Sequence, residues 1–344
     1  MTNDEATVLA VGDVFLDRKY PTEVFSHVQE WFDSADLVVG NHEGPLSQSG
    51  QQRLFYPWLS IINSTPEMVE GLDAAGFDVL SLANNQSMNY GTEGLIDSIE
   101  LLESVGIGVT GAGEDKAAAE APAVCTVDDI SVAFIGIEAT RWDWGDTQAL
   151  SDQPGLNQLQ TSSLYASPHV SRHGLQKLED TVAAADRAHD VVILLPHFGV
   201  TAGHEVAPHQ RAIAHTAVDA GADAIIGAHS HTLQAVEVYE ETPIFYSLGN
   251  FVFDKAGHWG VSWMPSETAV AELIVSAGGM ESVTVHPALY DTGAQDKPRI
   301  LDTDEPEYRD IVELLSELSS YEETTLGETD DGITVPCGSR GAHD

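Results

Sequence analysis

The fold is decided by one stretch of the chain, residues 191–254, which reads VVILLPHFGVTAGHEVAPHQRAIAHTAVDAGADAIIGAHSHTLQAVEVYEETPIFYSLGNFVFD. Its first apolar run predicts a strand that delivers His197 at its carboxyl end, and a helical pattern follows. A second apolar run, over 224–227, then delivers His229 and His231. Strand, helix and strand in this order predict a βαβ unit with a site at the carboxyl edge of a parallel sheet. Imidazoles placed there could meet around one metal ion or one anion.

Acidic residues dominate the composition, with 55 Asp and Glu against 14 Lys and Arg and a net charge of −41. At low ionic strength this self-repulsion opposes a compact state, whereas at molar salt the Debye length falls to about 3 Å and the repulsion is screened. The composition is therefore typical of a halophile. An acidic tail on an ordinary protein fits poorly, because acidic residues are spread from Asp4 to Asp344. The charge also argues against nucleic acid and anionic membranes as partners.

The chain has 344 residues, enough for one large domain or for a domain with an extension. We expect one domain over 1–300, with its core motifs in 7–255, and an acidic helix with a disordered tail over 301–344. Cys125 and Cys337 form no CxxC pair, which argues against a zinc knuckle or a disulfide framework. Without a signal-peptide pattern or an 18-residue apolar stretch, we predict a cytoplasmic protein with no transmembrane segment. The sequence leaves the oligomeric state open.

Two further predicted strands end in carboxylates. Asp13 follows an apolar run over 7–11, and Glu43 comes soon after one over 37–40. Carboxylates at neighbouring strand ends suit an oxygen-rich site for a hard divalent cation. Taken alone, Asp13 could equally be a turn aspartate that caps the next helix.

Several motifs in the stretch over 191–254 resemble the CapA family, the poly-γ-glutamate (capsule) biosynthesis proteins. The resemblance covers about residues 5–255. It implies an α/β fold, the four-layer α-β-β-α sandwich of calcineurin-like metallophosphatases, and with the acidic composition it indicates a haloarchaeon-like halophile. The matching motifs are 197–199 (HFG), 219–223 (DAGAD), 227–231 (GAHSH) and 246–254 (YSLGNFVFD).

The resemblance extends to the motifs 12–18 (GDVFLDR), 41–46 (NHEGPL) and 84–91 (NNQSMNYG), and it implies roles for residues in them. The metal ligands it implies are Asp13, Glu43, Asn85, His197, His229 and His231. The candidate catalytic residues are Asn84, Gln86, His197 and Arg18. The implied cofactor is one or two divalent metal ions, and a mixed shell of His, Asp and Asn suits Mn²⁺, Zn²⁺ or Fe better than Mg²⁺.

Four positions depart from the pattern that the resemblance implies. Phe15 stands where metallophosphatases usually carry a histidine, and Thr201 stands where family members often carry a glutamate. Gln86 and Asn89 occupy the places of a histidine and an aspartate. A glutamine can donate a hydrogen bond but has no titratable proton near neutral pH. Losing a general acid can cost on the order of 10²–10⁴ in rate.

Three functions therefore remain open. The first is a metal-dependent hydrolase, phosphoesterase-like or cleaving amides or esters, in the synthesis or processing of poly-γ-glutamate. The second is a non-catalytic binding or accessory protein for a polyanionic polymer. The third is a degenerate site kept for folding. The substrate would be a small molecule or a polyanion.

Residues elsewhere have weaker assignments. A loop over 47–63 and a polar insert over 138–172 carry aromatic side chains that could line a pocket rim or form a lid, and these are Phe55, Tyr56, Trp58, Trp142, Trp144 and Tyr165. Three histidines near the 191–254 unit are predicted to lie at the surface, with His204 alternatively reaching a pocket, and these are His204, His209 and His215.

Overall fold

The structure is a computed structural model, and it describes residues 5–51, 62–140, 147–162, 169–254, 264–290 and 297–338. The α-helices in these ranges are α1 (Gln29–Ser34), α2 (Val69–Ala75), α3 (Gly91–Ser104), α4 (Lys116–Glu120), α5 (Arg172–Asp186), α6 (Pro208–Asp219) and α7 (Pro306–Ser320). The aromatic residues assigned above to a pocket rim or a lid lie outside the described residues.

The strands in the same ranges are β1 (Ala6–Phe15), β2 (Leu37–His42), β3 (Val79–Ser81), β4 (Gly108–Thr110), β5 (Ala112–Gly113), β6 (Ala123–Val127), β7 (Ile130–Thr140), β8 (Gly155–Leu156), β9 (Thr161–Ser162), β10 (His169–Val170), β11 (Val191–Gly199), β12 (Ala224–Ile226), β13 (Val236–Tyr239), β14 (Thr242–Phe245), β15 (Asn250–Phe253), β16 (Glu267–Ser276), β17 (Gly279–Tyr290), β18 (Pro298–Ile300), β19 (Gly327–Thr329) and β20 (Gly332–Val335).

Two large sheets form the centre of the molecule. The ten-stranded sheet runs β19-β20-β17-β16-β1-β2-β3-β4, with β15 paired to β1 and β18 to β17. The six-stranded sheet runs β13-β14-β12-β11-β7-β6. Strands β1 to β4 are parallel, and so are β7, β11, β12 and β14. The predicted βαβ unit is therefore confirmed as β11, α6 and β12.

The apolar cores show four layers. One core joins residues of both sheets, such as Val39 and Ile193. A second packs helices α1 to α3 on the outer face of the ten-stranded sheet, as Phe32 and Leu95 do. A third packs α5 and α6 on the outer face of the six-stranded sheet, as Val182 does. The predicted α/β fold with an α-β-β-α sandwich is confirmed.

The strand that carries Asp13 is irregular at that residue. Register shifts occur beside Asp13 in the pairing of β1 with β2 and with β15. The Asp13 backbone N–H donates to the carbonyl oxygen of Gly249 at 3.0 Å. Bulges of this kind re-aim a side chain at the end of a strand. Here the bulge lies where the two sheets bring their carboxyl ends together.

Gly12 allows this close approach, and we expect Gly12→Ala to destabilise the fold. The added Cβ would lie 2.0 Å from the Gly249 carbonyl oxygen, so the backbone would have to move. Overpacking of this kind typically costs about 1–3 kcal/mol. Gly108→Ala is the control, since its Cβ meets nothing closer than 3.4 Å, and its effect should stay within about 1 kcal/mol. Urea unfolding in high salt measures both, and equal midpoints would contradict the argument.

The C-terminal segment is folded onto the same core. After α7, the strands β19 and β20 form a hairpin, and β20 pairs with β17. Ile333 and Val335 are buried. The prediction of a disordered tail is therefore wrong for this hairpin. Its polar composition indicates disorder, but β17, which is distant in sequence, pairs with β20 and orders it. The domain division near residue 300 stays a prediction. In the described ranges, no helix combines the length and apolar character needed to cross a bilayer.

Candidate metal centre

The candidate site lies at the carboxyl ends of parallel strands from both sheets. Asp13 comes from β1, and Glu43 follows β2. His197 lies near the end of β11, while His229 and His231 follow β12. All five residues are buried, each with at most 6% of its surface exposed. Parallel sheets present their ligand sites at this edge.

Asp13 is the centre of the hydrogen-bond network. Its Oδ1 accepts from Asn41 Nδ2 at 2.7 Å, and its Oδ2 accepts from the His229 backbone N–H at 3.1 Å. Burial raises the pKa of Asp13, while His231 and these two donors oppose that rise. The carboxylate is therefore fixed in place on both oxygens.

One group of ligand atoms consists of Asp13, Glu43 and His231, which lie within 4.8 Å of one another. His231 Nδ1 is 3.5 Å from Asp13 Oδ2 and 3.9 Å from Glu43 Oε2. Glu43 Oε2 is buried and has no hydrogen-bond partner among the described residues. Burial, and then the neighbouring Asp13, raises the pKa of Glu43 well above its ordinary value. Two buried carboxyls with an unpartnered oxygen are a donor set that a divalent cation fits.

A second group consists of Asn85, His197 and His229. Asn85 Oδ1 is 2.9 Å from His197 Nε2, which is 3.1 Å from His229 Nδ1. Burial, followed by the neighbouring histidines, holds the pKa of His197 well below its ordinary value. Burial and then His231 lower the pKa of His229 to about 3. Near pH 7 both imidazoles are therefore neutral, and the neutral imidazole is the form that binds metals.

The two groups are adjacent, because His197 Nδ1 lies 3.7 Å from Asp13 Oδ1. The structure thus brings together all six residues that the sequence assigns as metal ligands. That they bind metal stays a prediction. The backbone is also unusual here, since two of the site's histidines have positive φ, 95° at His229 and 58° at His231. Positive φ at such residues is strained and is concentrated at functional sites.

The candidate catalytic residues are placed differently. Asn84 is fully buried, and its amide nitrogen donates to the His42 carbonyl oxygen at 2.8 Å while its Oδ1 accepts from Ser87 Oγ at 2.9 Å. These contacts hold the turn after β3 against the end of β2. Arg18 forms an ion pair with Asp254, with Nε 2.9 Å from Oδ2. The catalytic roles of Asn84 and Arg18 stay predictions.

Sequence reasoning missed two asparagines. Asn41 Nδ2 contacts both Asp13 Oδ1 and His197 Nδ1, the latter at 3.3 Å. Asn250 Oδ1 lies 2.8 Å from His231 Nδ1. Both asparagines pair with Asp13 across neighbouring strands. Their place at strand ends, inside motifs already recognised, was the signal that could have revealed them.

Thr201 and the three histidines outside the site differ in their surroundings. Thr201 Oγ1 lies 3.3 Å from His229 Nε2, so a hydroxyl contacts this ring. His209 is buried, and its Nε2 accepts from the Gly199 backbone N–H at 3.2 Å. The surface prediction is therefore wrong for His209, because this residue lies on the buried face of α6 and contacts the end of β11. His204 is exposed, and His215 is half-buried against Glu237.

Comparison with known proteins shows the family. The pattern of the family described as "Bacterial capsule synthesis protein PGA_cap" matches residues 7–255, so the chain belongs to this family. It is 33% identical over 262 residues to the capsule biosynthesis protein CapA of Bacillus anthracis, covering 74% of this chain and 61% of that protein.

Other relatives have similar names. The chain is 29% identical over 263 residues to the PGA biosynthesis protein CapA of Bacillus subtilis, covering 74% of this chain and 65% of that protein. It is 31% identical over 230 residues to a Mycobacterium tuberculosis protein named as a probable polyglutamine synthesis accessory protein, covering 64% and 58%. The matched region thus spans less than two thirds of each relative's length.

Proposed function

We propose that this chain is a metal-dependent hydrolase, related to calcineurin-like metallophosphatases, that acts in the synthesis or processing of poly-γ-glutamate. The observation that carries the proposal is the buried group of Asp13, Glu43 and His231, in which Glu43 Oε2 has no hydrogen-bond partner among the described residues. The second group, Asn85, His197 and His229, adjoins it through the contact of His197 with Asp13. The names of the two Bacillus relatives, a capsule biosynthesis protein and a PGA biosynthesis protein, support the choice of poly-γ-glutamate as the polymer. The bond cleaved would be a phosphoester, an ester or an amide.

The proposed metal positions follow the two groups of ligand atoms. Asp13, Glu43 and His231 would hold one cation, and Asn85 with His197 and His229 would hold a second. The mixed oxygen and nitrogen donors suit Mn²⁺, Zn²⁺ or Fe. A bound cation would supply Lewis acidity toward a phosphoryl or acyl oxygen and would lower the pKa of water.

The chain's own residues orient this site. Asn41 holds Asp13 relative to His197, and Asn250 fixes the ring of His231. Such outer contacts set ligand orientation and are commonly worth 10–100-fold in metal affinity or activity. The contacts of Asn84 make it a positioning residue for the turn that carries Asn85. The neutral imidazole of His197 can bind a cation but cannot donate a proton as an imidazolium.

A binding or accessory function is the second candidate. Gln86 and Asn89, whose side chains are hydrogen-bonded to each other at 2.6 Å, provide no titratable group. The Mycobacterium tuberculosis relative is named for an accessory role. A protein of this kind would bind a polyanion at the cation without cleaving it.

Turnover of aryl and alkyl phosphates separates the two candidates. The metal-loaded protein should cleave aryl phosphates, whose leaving groups need no proton, much faster than alkyl phosphates. Asp13→Asn should abolish both activities while the protein remains folded. Metal-loaded protein with no activity on either phosphate, or on matched esters and anilides, would favour the binding function.

Installing an acid at position 86 should raise the slow reaction. In Gln86→His alone, Asn89 Nδ2 would donate to the new ring and keep it neutral. In Gln86→His with Asn89→Asp, the carboxylate would favour the imidazolium. We expect the double variant to raise alkyl phosphate cleavage by up to about 10²–10⁴ and to add an alkaline limb to the pH–rate profile. Aryl phosphate cleavage should change little, and equal gains on both substrates would contradict a missing acid.

A further inference from the structure

Two buried glutamines contact the loop that joins β11 to α6, residues 200–207. Gln210 belongs to α6, and Gln234 follows closely after His231. Neither glutamine has more than 1% of its surface exposed. Gln210 Nε2 donates to Gln234 Oε1 at 2.9 Å, and Gln234 Nε2 donates to the Gly203 carbonyl oxygen at 2.9 Å. The pair therefore links the helix, the loop and the segment that carries His231.

Backbone groups of the loop fix the orientation of both amides. The carbonyl oxygens of Gly203 and Glu205 can only accept, so the Gln234 atom that faces them is Nε2, at 2.9 Å and 3.0 Å. Gln234 Oε1 then faces Gln210 and accepts from its Nε2. Gln210 Oε1 in turn accepts from the Ala207 backbone N–H at 2.8 Å. Each amide has one orientation that satisfies its partners, so the pair holds the loop in a single position.

The same loop is also tied to the residues that follow β12. The Ala202 backbone N–H donates to the Ser230 carbonyl oxygen at 2.9 Å, and Thr232 Oγ1 donates to the Gly203 carbonyl oxygen at 3.0 Å. Ala202 has φ of 65°, a left-handed conformation that is uncommon for alanine. Such a conformation persists where the surrounding contacts hold it. The loop therefore keeps Thr201 at a fixed place beside His229.

The two ring nitrogens of His229 face different groups. Nδ1 lies 3.1 Å from His197 Nε2, whereas Nε2 lies 3.3 Å from Thr201 Oγ1. A neutral imidazole carries its proton on one nitrogen and a lone pair on the other. If Nδ1 binds a cation, the proton lies on Nε2 and is donated to Thr201 Oγ1. Histidines that bind metals commonly donate their other ring N–H to an oxygen in this way.

We propose that Thr201 is a positioning residue that accepts the Nε2–H of His229 and so directs Nδ1 toward the second proposed cation position. The Gln210–Gln234 pair holds the loop that presents Thr201. The inference rests on the proposed function, because a cation gives the ring orientation its purpose. A hydroxyl orients the ring without adding a negative charge, beside a site that already contains the carboxyls of Asp13 and Glu43.

Titration calorimetry with Mn²⁺ tests the inference on metal-free protein in about molar KCl, where charges are screened. Thr201→Val keeps the shape of the side chain but removes the acceptor. It should weaken Mn²⁺ binding at the Asn85–His197–His229 group by about 10–100-fold, the usual effect of losing such a contact. Thr201→Ser keeps the hydroxyl and should bind within a few-fold of wild type. Thr126→Val, at an exposed residue of β6, is the control and should leave binding unchanged.

Nitrogen-15 NMR of the imidazole rings gives a second readout that does not require metal. Spectra of metal-free protein show which nitrogen of His229 carries the proton, and His229→Ala identifies the signals of this ring. The proton should lie on Nε2 in wild type and in Thr201→Ser. In Thr201→Val this preference should be lost. If Thr201 only stabilises the loop, the proton would stay on Nε2 in all three proteins.

A double-mutant cycle tests the role of the glutamine pair. Gln234→Met should weaken Mn²⁺ binding in the wild-type background, because the loop loses two of its donors. If the pair acts through Thr201, Gln234→Met should have no further effect on Thr201→Val. Equal losses in both backgrounds would contradict this role. Thermal melts establish that each variant is folded, and Gln210→Met replaces Gln234→Met in the cycle if the latter does not fold.

The outcomes separate this inference from the proposed function. Unchanged Mn²⁺ affinity in Thr201→Val, or an equal loss in Thr201→Ser, would overturn the inference alone. A wild-type protein that binds none of Mn²⁺, Zn²⁺ and Fe²⁺ would overturn the proposed function. The NMR spectra of metal-free protein would then still test the contact, since a proton on Nδ1 of His229 in wild type would overturn the role of Thr201.

Discussion

Lowering the salt from about 1 M to about 0.1 M is expected to unfold the protein or to lower its melting temperature by on the order of 10 °C or more. The net charge of −41 drives this effect. At about 0.1 M the Debye length grows to about 10 Å, so carboxylates on neighbouring parts of the surface repel one another. Cations to offset them are few, with 14 Lys and Arg in the chain.

The structure shows how these scarce cations are used. Arg211 forms an ion pair with Glu322, which ties α6 to the segment after α7. Arg299 pairs with Glu305 at 2.8 Å, just before α7. Such partly exposed pairs contribute little to stability, typically about 0–1 kcal/mol each. They cannot offset the repulsion among the remaining carboxylates, so we propose that the protein is adapted to high salt.

Thermal melts followed by circular dichroism in NaCl and KCl measure this dependence. Both salts should stabilise the protein alike if screening is responsible, and sucrose at equal osmolality should stabilise it less. A melting temperature that does not change across the salt range would contradict halophilic adaptation. The same screening should assist the approach of a polyanionic substrate, because the protein's own charge repels it at low salt.

Much of the fold could be predicted because its signals are local. The apolar run before His197, the helix after it and the second run before His229 specify a βαβ unit within about 40 residues of chain. Asp13 and Glu43 could be placed because parallel strands bring their carboxyl ends to one edge. The meeting of the six candidate ligands at one edge could therefore be predicted from strand ends and motifs together, and their binding of metal stays a prediction.

The features that the sequence did not predict depend on distant contacts. The polar composition of the β19–β20 segment indicates disorder. In the structure, β17 provides backbone hydrogen-bond partners for β20 and an apolar surface for Ile333. The sequence pattern over 21–34 predicts one amphipathic helix, but residues 24–28 form turns that bury Val24 and Phe25, so α1 begins only at Gln29. The contact of Asn41 with Asp13 cannot be predicted from the residues around Asn41, because it depends on the register of β1 with β2.

Replacing both histidines that follow β12 is expected to abolish metal binding. His229→Ala with His231→Ala removes one nitrogen donor from each proposed cation position. The Glu43 and Asp13 carboxyls would then remain close together with fewer donors to complete either shell. The loss should be complete at micromolar metal, because first-row cations need several well-placed donors at about 2.0–2.2 Å. Phosphatase activity should be lost with the metal.

The matched control replaces two exposed histidines outside the site, His27→Ala with His173→Ala. Loss of metal in this control would indicate adventitious histidine binding rather than a built site. Both double variants should keep a cooperative thermal melt in high salt. The comparison therefore isolates the residues that the structure brings together around Asp13.

Metal content of the purified protein tests the central claim most directly. Wild type, the His229/His231 double variant and the control are dialysed in molar salt against Mn²⁺, Zn²⁺ or Fe²⁺ and then against metal-free buffer, and bound metal is measured by mass spectrometry. The account predicts one or two ions per chain in wild type and control, and none in the His229/His231 variant. Metal retained by that variant, or absent from wild type with all three cations, would contradict it.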